Sequence, residues 1–112
     1  MTQIQVQALI VNVCDDLRDF LLEKNEAYGN SALDPVRVFS KASAEEQLLV
    51  RIDDKLSRLA RGGEYPGDDT LQDLLGYLVL LQVSRRIDAL ASTQASAAQN
   101  ARLNDFLSRL SK

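Results

Sequence analysis

Glu46, Asp53, Asp69 and Asp73 are the residues of this sequence best placed to hold a metal ion. Glu46 and Asp53 lie seven residues apart, so on a helix turning about 100° per residue they nearly superpose. Asp69 and Asp73 share one side of the next apolar segment with Gly76 and Leu80, and Tyr77 stands at the edge of that side. Carboxylates projected from two antiparallel helices suit Mg²⁺, which takes carboxylate, water and phosphate oxygens. Lys24, Arg51, Lys55 and Arg58 are the cations available to phosphates. Asp73 is the most informative of the acids, because it falls within the most apolar segment of the chain. An unpaired charge there costs several kcal/mol, so it needs a partner. Gly76, one turn later, lets another backbone or a ligand approach closely.

Each of these residues also has a plainer role. Glu46 completes a Ser-x-x-Glu capping box with Ser43. A carboxylate at Asp69 complements the dipole of a helix N-terminus, and Arg58 and Arg61 suit a helix C-terminus. Asp54 and Arg58 form an ordinary i,i+4 pair. Tyr28 fits loop packing, and Gly29 fits a left-handed C-cap. Capping and surface solvation account least well for Asp73.

Composition removes several chemistries. The chain has no histidine, so the commonest general base and metal ligand is missing. Cys14 is alone, which forbids an intramolecular disulfide and suits a reducing compartment, and it lies in an apolar-periodic run without a base to activate it. Neither a P-loop nor a dinucleotide fingerprint is present. Net charge is −3 with the basic residues dispersed among acids, so no basic stripe speaks for DNA or RNA, although a small anion can find a local basic pocket. No apolar run reaches the roughly 18 residues that span a bilayer, and the N-terminus lacks a signal peptide's basic start, so a cytoplasmic protein away from membranes is expected.

The elements that must position these residues read as helices. Val6, Leu9, Ile10, Val13, Leu17, Phe20 and Leu21 recur at three- and four-residue steps from Gln3 to about Lys24, which is one amphipathic helix. Residues 25 to 42 hold Gly29, Asn30, Asp34 and Pro35 and read as a long ordered loop with a short helical turn around Val36 to Phe39. Ser43 opens a second helix, with Leu48, Leu49, Ile52, Leu56 and Leu59 as its core stripe and Arg61-Gly62-Gly63 as its stop. Asp68 is the expected N-cap of a third helix, apolar on nearly every side between Leu71 and Val83 and hence expected to be central and largely buried. The chain divides into a helical domain, 1–88, and an Ala/Ser-rich tail, 89–112. The tail either continues the third helix or, as its composition favours, forms a fourth helix after a joint at Ser92-Thr93, with a stripe of Leu103, Phe106, Leu107 and Leu110 available to another subunit. The expected architecture is therefore all-α, an antiparallel bundle of three main helices plus a C-terminal helix. At 112 residues a single core is attainable.

The blocks "KNEAYGNSA", "EEQLLVRIDDKLSRL" and "DDTLQDLLGYLVLL", in that order and spacing, resemble a family of small bacteriophage and prophage proteins related to the nucleotide modification associated domain. That family is similar to the MazG-like all-α nucleoside triphosphate pyrophosphohydrolases. The likeness covers about residues 15 to 85. It implies a helical unit, commonly a homo-oligomer, that binds Mg²⁺ through acids of two neighbouring helices and cleaves a nucleoside triphosphate to the monophosphate and pyrophosphate. The MazG pattern is Glu-Glu-x-x-Glu followed on the next helix by Glu-x-x-Asp. Glu45, Glu46 and Asp73 match it, whereas Leu49 and Thr70 stand at the other acid positions, each one turn from Asp53 or Asp69.

On that resemblance Glu46, Asp53, Asp69 and Asp73 hold the metal, and Glu45, Glu46 and Asp53 are the candidates for catalysis, with Glu45 or Asp53 orienting the water. Lys24, Arg51, Lys55 and Arg58 bind phosphates, and Asn25, Tyr28 and Tyr77 lie at the nucleotide. Two activities stay open: hydrolysis of a nucleotide in the host cytoplasm, or a non-catalytic sponge that sequesters a host signalling nucleotide against anti-phage defence. Lys24 leaves the first helix on its core-facing side, seven residues after Leu17 and four after Phe20, so "KNEAYGNSALDP" is expected to form the nucleotide-facing lip of the bundle.

Overall fold

The computed structural model describes residues 1–63, 65–93 and 97–111, with backbone alone at 97–99. It contains four helices and, among the described residues, no strand: α1 (Gln3–Tyr28), α2 (Ala44–Arg61), α3 (Thr70–Ser92) and α4 (Ala97–Leu110). The all-α expectation holds. No helix among the described residues is long and apolar enough to cross a membrane.

Local chemistry sets most boundaries. Thr2 caps α1 by accepting from Gln5 N–H, while the Gln5 side chain accepts from Thr2 N–H, a reciprocal pair absent from the sequence expectations. α1 runs four residues beyond the expected Lys24, because nothing in Asn25-Glu26-Ala27-Tyr28 breaks a helix. It stops at Gly29, whose N–H donates to the Asn25 carbonyl at 2.7 Å. Ser43 caps α2 as expected by accepting from Glu46 N–H, and Gly62, left-handed at φ 74°, ends it. The N-cap of α3 is Asp69 rather than Asp68: its carboxylate accepts from Gln72 N–H at 3.0 Å. No helical turn forms at Val36 to Phe39; the chain turns at residues 29–33 instead, where Asn30 O accepts from Leu33 and Asp34 N–H.

α2 and α3 form an antiparallel hairpin whose register is marked by contacts between Glu45 and Arg85, Arg51 and Tyr77, and Lys55 and Asp73. Its core is small: Leu48, Ile52, Leu74 and Leu81 are the buried apolar side chains. α3 is therefore not buried all round, and Leu71, Leu75, Leu78, Val79 and Val83 stand exposed in the single chain. α1 touches α3 through the C-terminal half of its stripe, where Phe20 and Leu21 pack on the buried Gly76; a Cβ at Gly76 would lie 3.1 Å from Leu21 Cδ2. That glycine gives α1 its seat. α4 presents Leu103, Phe106, Leu107 and Leu110 to solvent.

Candidate functional site

Where the last two turns of α1 pass over the hairpin, they enclose a cleft of about 350 Å³. Helical spacing explains what α1 contributes. Phe20, Lys24 and Tyr28 follow at steps of four and stack along one face, with Lys24 Nζ 5.4 Å from the Phe20 ring centre and 5.5 Å from that of Tyr28. The opposite wall carries a matching pair: Arg51 from α2 lies 5.8 Å over the Tyr77 ring of α3, and its Nη1 donates to Tyr77 Oη at 3.4 Å. Asp73 lines the cleft one turn before Tyr77. Asn25 closes the rim by donating to Gly29 O at 3.2 Å and to Asn30 Oδ1 at 2.9 Å, holding the 29–33 turn against the helix end.

Lys24, Asn25, Tyr28, Arg51 and Tyr77, expected at a nucleotide, are thus gathered in one cleft with Asp73. Lys55 is adjacent but engaged: its ammonium lies 3.2 Å from Asp73 Oδ2, and only 14% of its side chain is exposed. Arg58 is turned to Asp68, 3.8 Å away on the exposed flank. Phe20 belongs to the cleft although its place in the apolar stripe reads as core alone; its i,i+4 spacing to Lys24 is the signal that reveals it.

The expected metal ligands are not brought together. Among the described residues no three acids gather into a group that holds a cation. The helical turn explains this. Arg51 and Lys55 face Tyr77 and Asp73, and Asp53, two residues from each, points about 200° away from both. Glu46 lies near the far end of the antiparallel hairpin from Asp73, roughly 13 Å along the axis at 1.5 Å per residue. Glu45 is engaged by Arg85 at 2.6 Å, and Asp69 is spent on capping. Within one chain, then, these residues do not fit Mg²⁺, since a single free carboxylate edge at Asp73 is less than its coordination needs.

Fold and cleft together define a small helical protein with a cleft walled by cations and aromatic rings. In comparisons with known proteins the chain matches no protein-family model, no curated protein and no solved structure.

Proposed function

We propose that the cleft binds a nucleotide and holds it without cleaving it. One observation carries this reading: two cation-aromatic pairs, Lys24 with Phe20 and Tyr28, and Arg51 with Tyr77, face each other across one cavity. A nucleotide presents a flat base and an anionic phosphate, the two groups for which rings and guanidinium or ammonium groups are complementary. With the cleft open, each cation rests on a ring for about 0.5–1 kcal/mol. Phosphate oxygens offer charge-assisted hydrogen bonds that are stronger, so the cations turn to them and free the ring faces for the base.

Charge narrows the ligand. Lys55 balances Asp73, which leaves Lys24 and Arg51 uncompensated. A ligand with about two negative charges, such as one phosphate monoester, is matched without further help. A free triphosphate brings more charge than the cleft neutralises. A phage-type protein built this way would serve by sequestering a host signalling nucleotide.

The test is a thermal-shift panel of nucleoside mono-, di- and triphosphates, cyclic nucleotides and alarmones, with Mg²⁺ or EDTA, followed by product analysis. The expected result is stabilisation that survives EDTA and intact ligand recovered after heat denaturation. A panel in which no nucleotide moves the melting temperature removes the reading. Pyrophosphate released with Mg²⁺ and lost in Asp73→Asn would instead mark the other reading, a MazG-like pyrophosphohydrolase, which needs a metal site that the acids of one chain do not supply.

A further inference from the structure

A second cleft, of about 340 Å³, opens where the 34–42 loop and the start of α2 meet the C-terminal half of α3, and it shares only Leu33 with the first. Ser84 stands out in its lining. A serine inside a helix ordinarily turns its hydroxyl to water or back to a carbonyl one turn earlier. Ser84 is only 6% exposed and makes no hydrogen bond among the described residues. Among those residues no fully covered side-chain oxygen or nitrogen lacks a partner, so Ser84 Oγ must open onto the cleft that it lines. Its capacity to donate and accept is held there unused.

Groups of opposite character flank it. At the start of α2, Ser43 Oγ takes the Glu46 N–H. The N–H groups of Ala44 and Glu45 have no acceptor among the described residues and carry the positive end of the helix dipole. Arg37 lines the cleft with them. Its Nε donates to Ala42 O at 3.1 Å, the oxygen that also accepts from Gln47 Nε2 at 3.0 Å, so the loop is pinned to the helix start while both Nη groups stay unengaged. On α3, Ile87 and Asp88 follow Ser84 at three and four residues and share its face. Neither Asp88 nor Arg37 has an ion pair among the described residues, and Glu45, the other acid of the cleft, is engaged by Arg85.

We propose that this second cleft binds a small zwitterion, an α-amino acid with an aliphatic side chain. Its carboxylate meets the free N–H groups of α2 and the Arg37 guanidinium. Its ammonium meets the Asp88 carboxylate and donates to Ser84 Oγ, and its side chain lies on Leu33 and Ile87. An anion alone is opposed by Asp88, and a cation alone by Arg37 and the helix dipole. A ligand with both charges satisfies each group and leaves the cleft neutral. The site is independent of what the first cleft binds.

The experiment is titration of the isotope-labelled full chain with L-leucine, read by amide chemical shifts, with leucinamide and N-acetyl-leucine as probes that each lack one charge. Leucine is expected to shift the amides of Ala44 and Glu45 saturably, and each single-charge probe to bind about tenfold more weakly. Arg37→Gln and Asp88→Asn should each raise the leucine Kd about tenfold and leave the unliganded melting temperature almost unmoved, since both side chains are exposed. Asp88→Asn should also bring N-acetyl-leucine level with leucine. Ser84→Ala should weaken leucine binding yet raise the unliganded melting temperature, because alanine is the better helix former and leaves no buried hydroxyl unmatched; a serine kept for structure would show the opposite. Three results overturn the proposal. One is the absence of a saturable shift with leucine, isoleucine, valine or alanine. Another is N-acetyl-leucine binding the wild type as tightly as leucine, which makes the cleft a site for anions alone. The third is leucine affinity undiminished in both Arg37→Gln and Asp88→Asn.

Discussion

Lys55 Nζ lies 3.2 Å from Asp73 Oδ2, joining the middle of α2 to the cleft wall of α3. The pair answers the question the apolar surroundings of Asp73 raise. Its partner is a lysine of the same chain, whose alkyl stem is buried along the hairpin while its ammonium reaches the carboxylate. Replacing Lys55 by methionine keeps the stem and removes the charge, leaving Asp73 unmatched in a half-buried setting. A loss of about 1 kcal/mol is expected in urea denaturation, modest because 37% of the Asp73 side chain is exposed. Asp73→Asn made together with Lys55→Met should recover part of it. Equal stability of wild type and Lys55→Met would show that the contact contributes nothing.

Arg51 separates binding from folding. The residue is exposed and leans on Tyr77 from outside the core, so Arg51→Ala should leave the melting temperature of the unliganded protein almost unmoved while cutting nucleotide affinity at least tenfold, about 1.4 kcal/mol. Arg51→Lys restores charge without the planar fork and should recover only part of the affinity. Isothermal titration with the strongest ligand of the panel reads both, and undiminished affinity in Arg51→Ala would put the phosphate elsewhere.

Gly76 tests whether α1 must sit close for the cleft to exist. With Leu21 Cδ2 3.1 Å from the added Cβ, alanine requires a small shift of a flexible, partly buried side chain and gains about 0.8–1 kcal/mol of helix propensity, so Gly76→Ala should be near neutral. Leucine has no room beneath Phe20 and Leu21. Gly76→Leu is expected to abolish ligand-induced stabilisation while most helical circular dichroism persists, and a retained ligand shift would mean that α1 is not part of the site.

Much of this arrangement is legible in the sequence, and the misses share a cause. Periodicity and capping place α2 closely and α1 and α3 to within a few residues, and they favour a fourth helix without fixing its bounds, because they depend on neighbours along the chain. "KNEAYGNSA" reads as the lip of a site because Lys24 continues the stripe of Leu17 and Phe20. What fails is everything decided by which side of a helix meets which. The spacing of Glu46 and Asp53 puts them together on α2 but does not reveal that Arg51 and Lys55 take the side facing Asp73. The apolar circumference of α3 signals surface to be covered, yet in one chain only part of it is, with Leu71, Leu75 and Leu78 left bare.

Gly29 gives the most direct test of the lip. Its φ of 64° with ψ of −151° lies outside the ordinary left-handed well, in a region open essentially to glycine. A Cβ there would meet nothing within 4 Å, so substitution is opposed by backbone strain alone, on the order of 1–3 kcal/mol. The chain can relieve that strain by unwinding the last turn of α1, which carries Asn25 and Tyr28 and ends in the bond from Gly29 N–H to Asn25 O. Gly29→Ala should therefore lower the unfolding free energy by about that amount and weaken ligand binding as Tyr28 loses its place beside Lys24. Gly63→Ala, at a glycine with open space and no left-handed φ, is the control and should change neither. If Gly29→Ala matches the control in both stability and affinity, the helix end neither depends on that backbone geometry nor shapes the site.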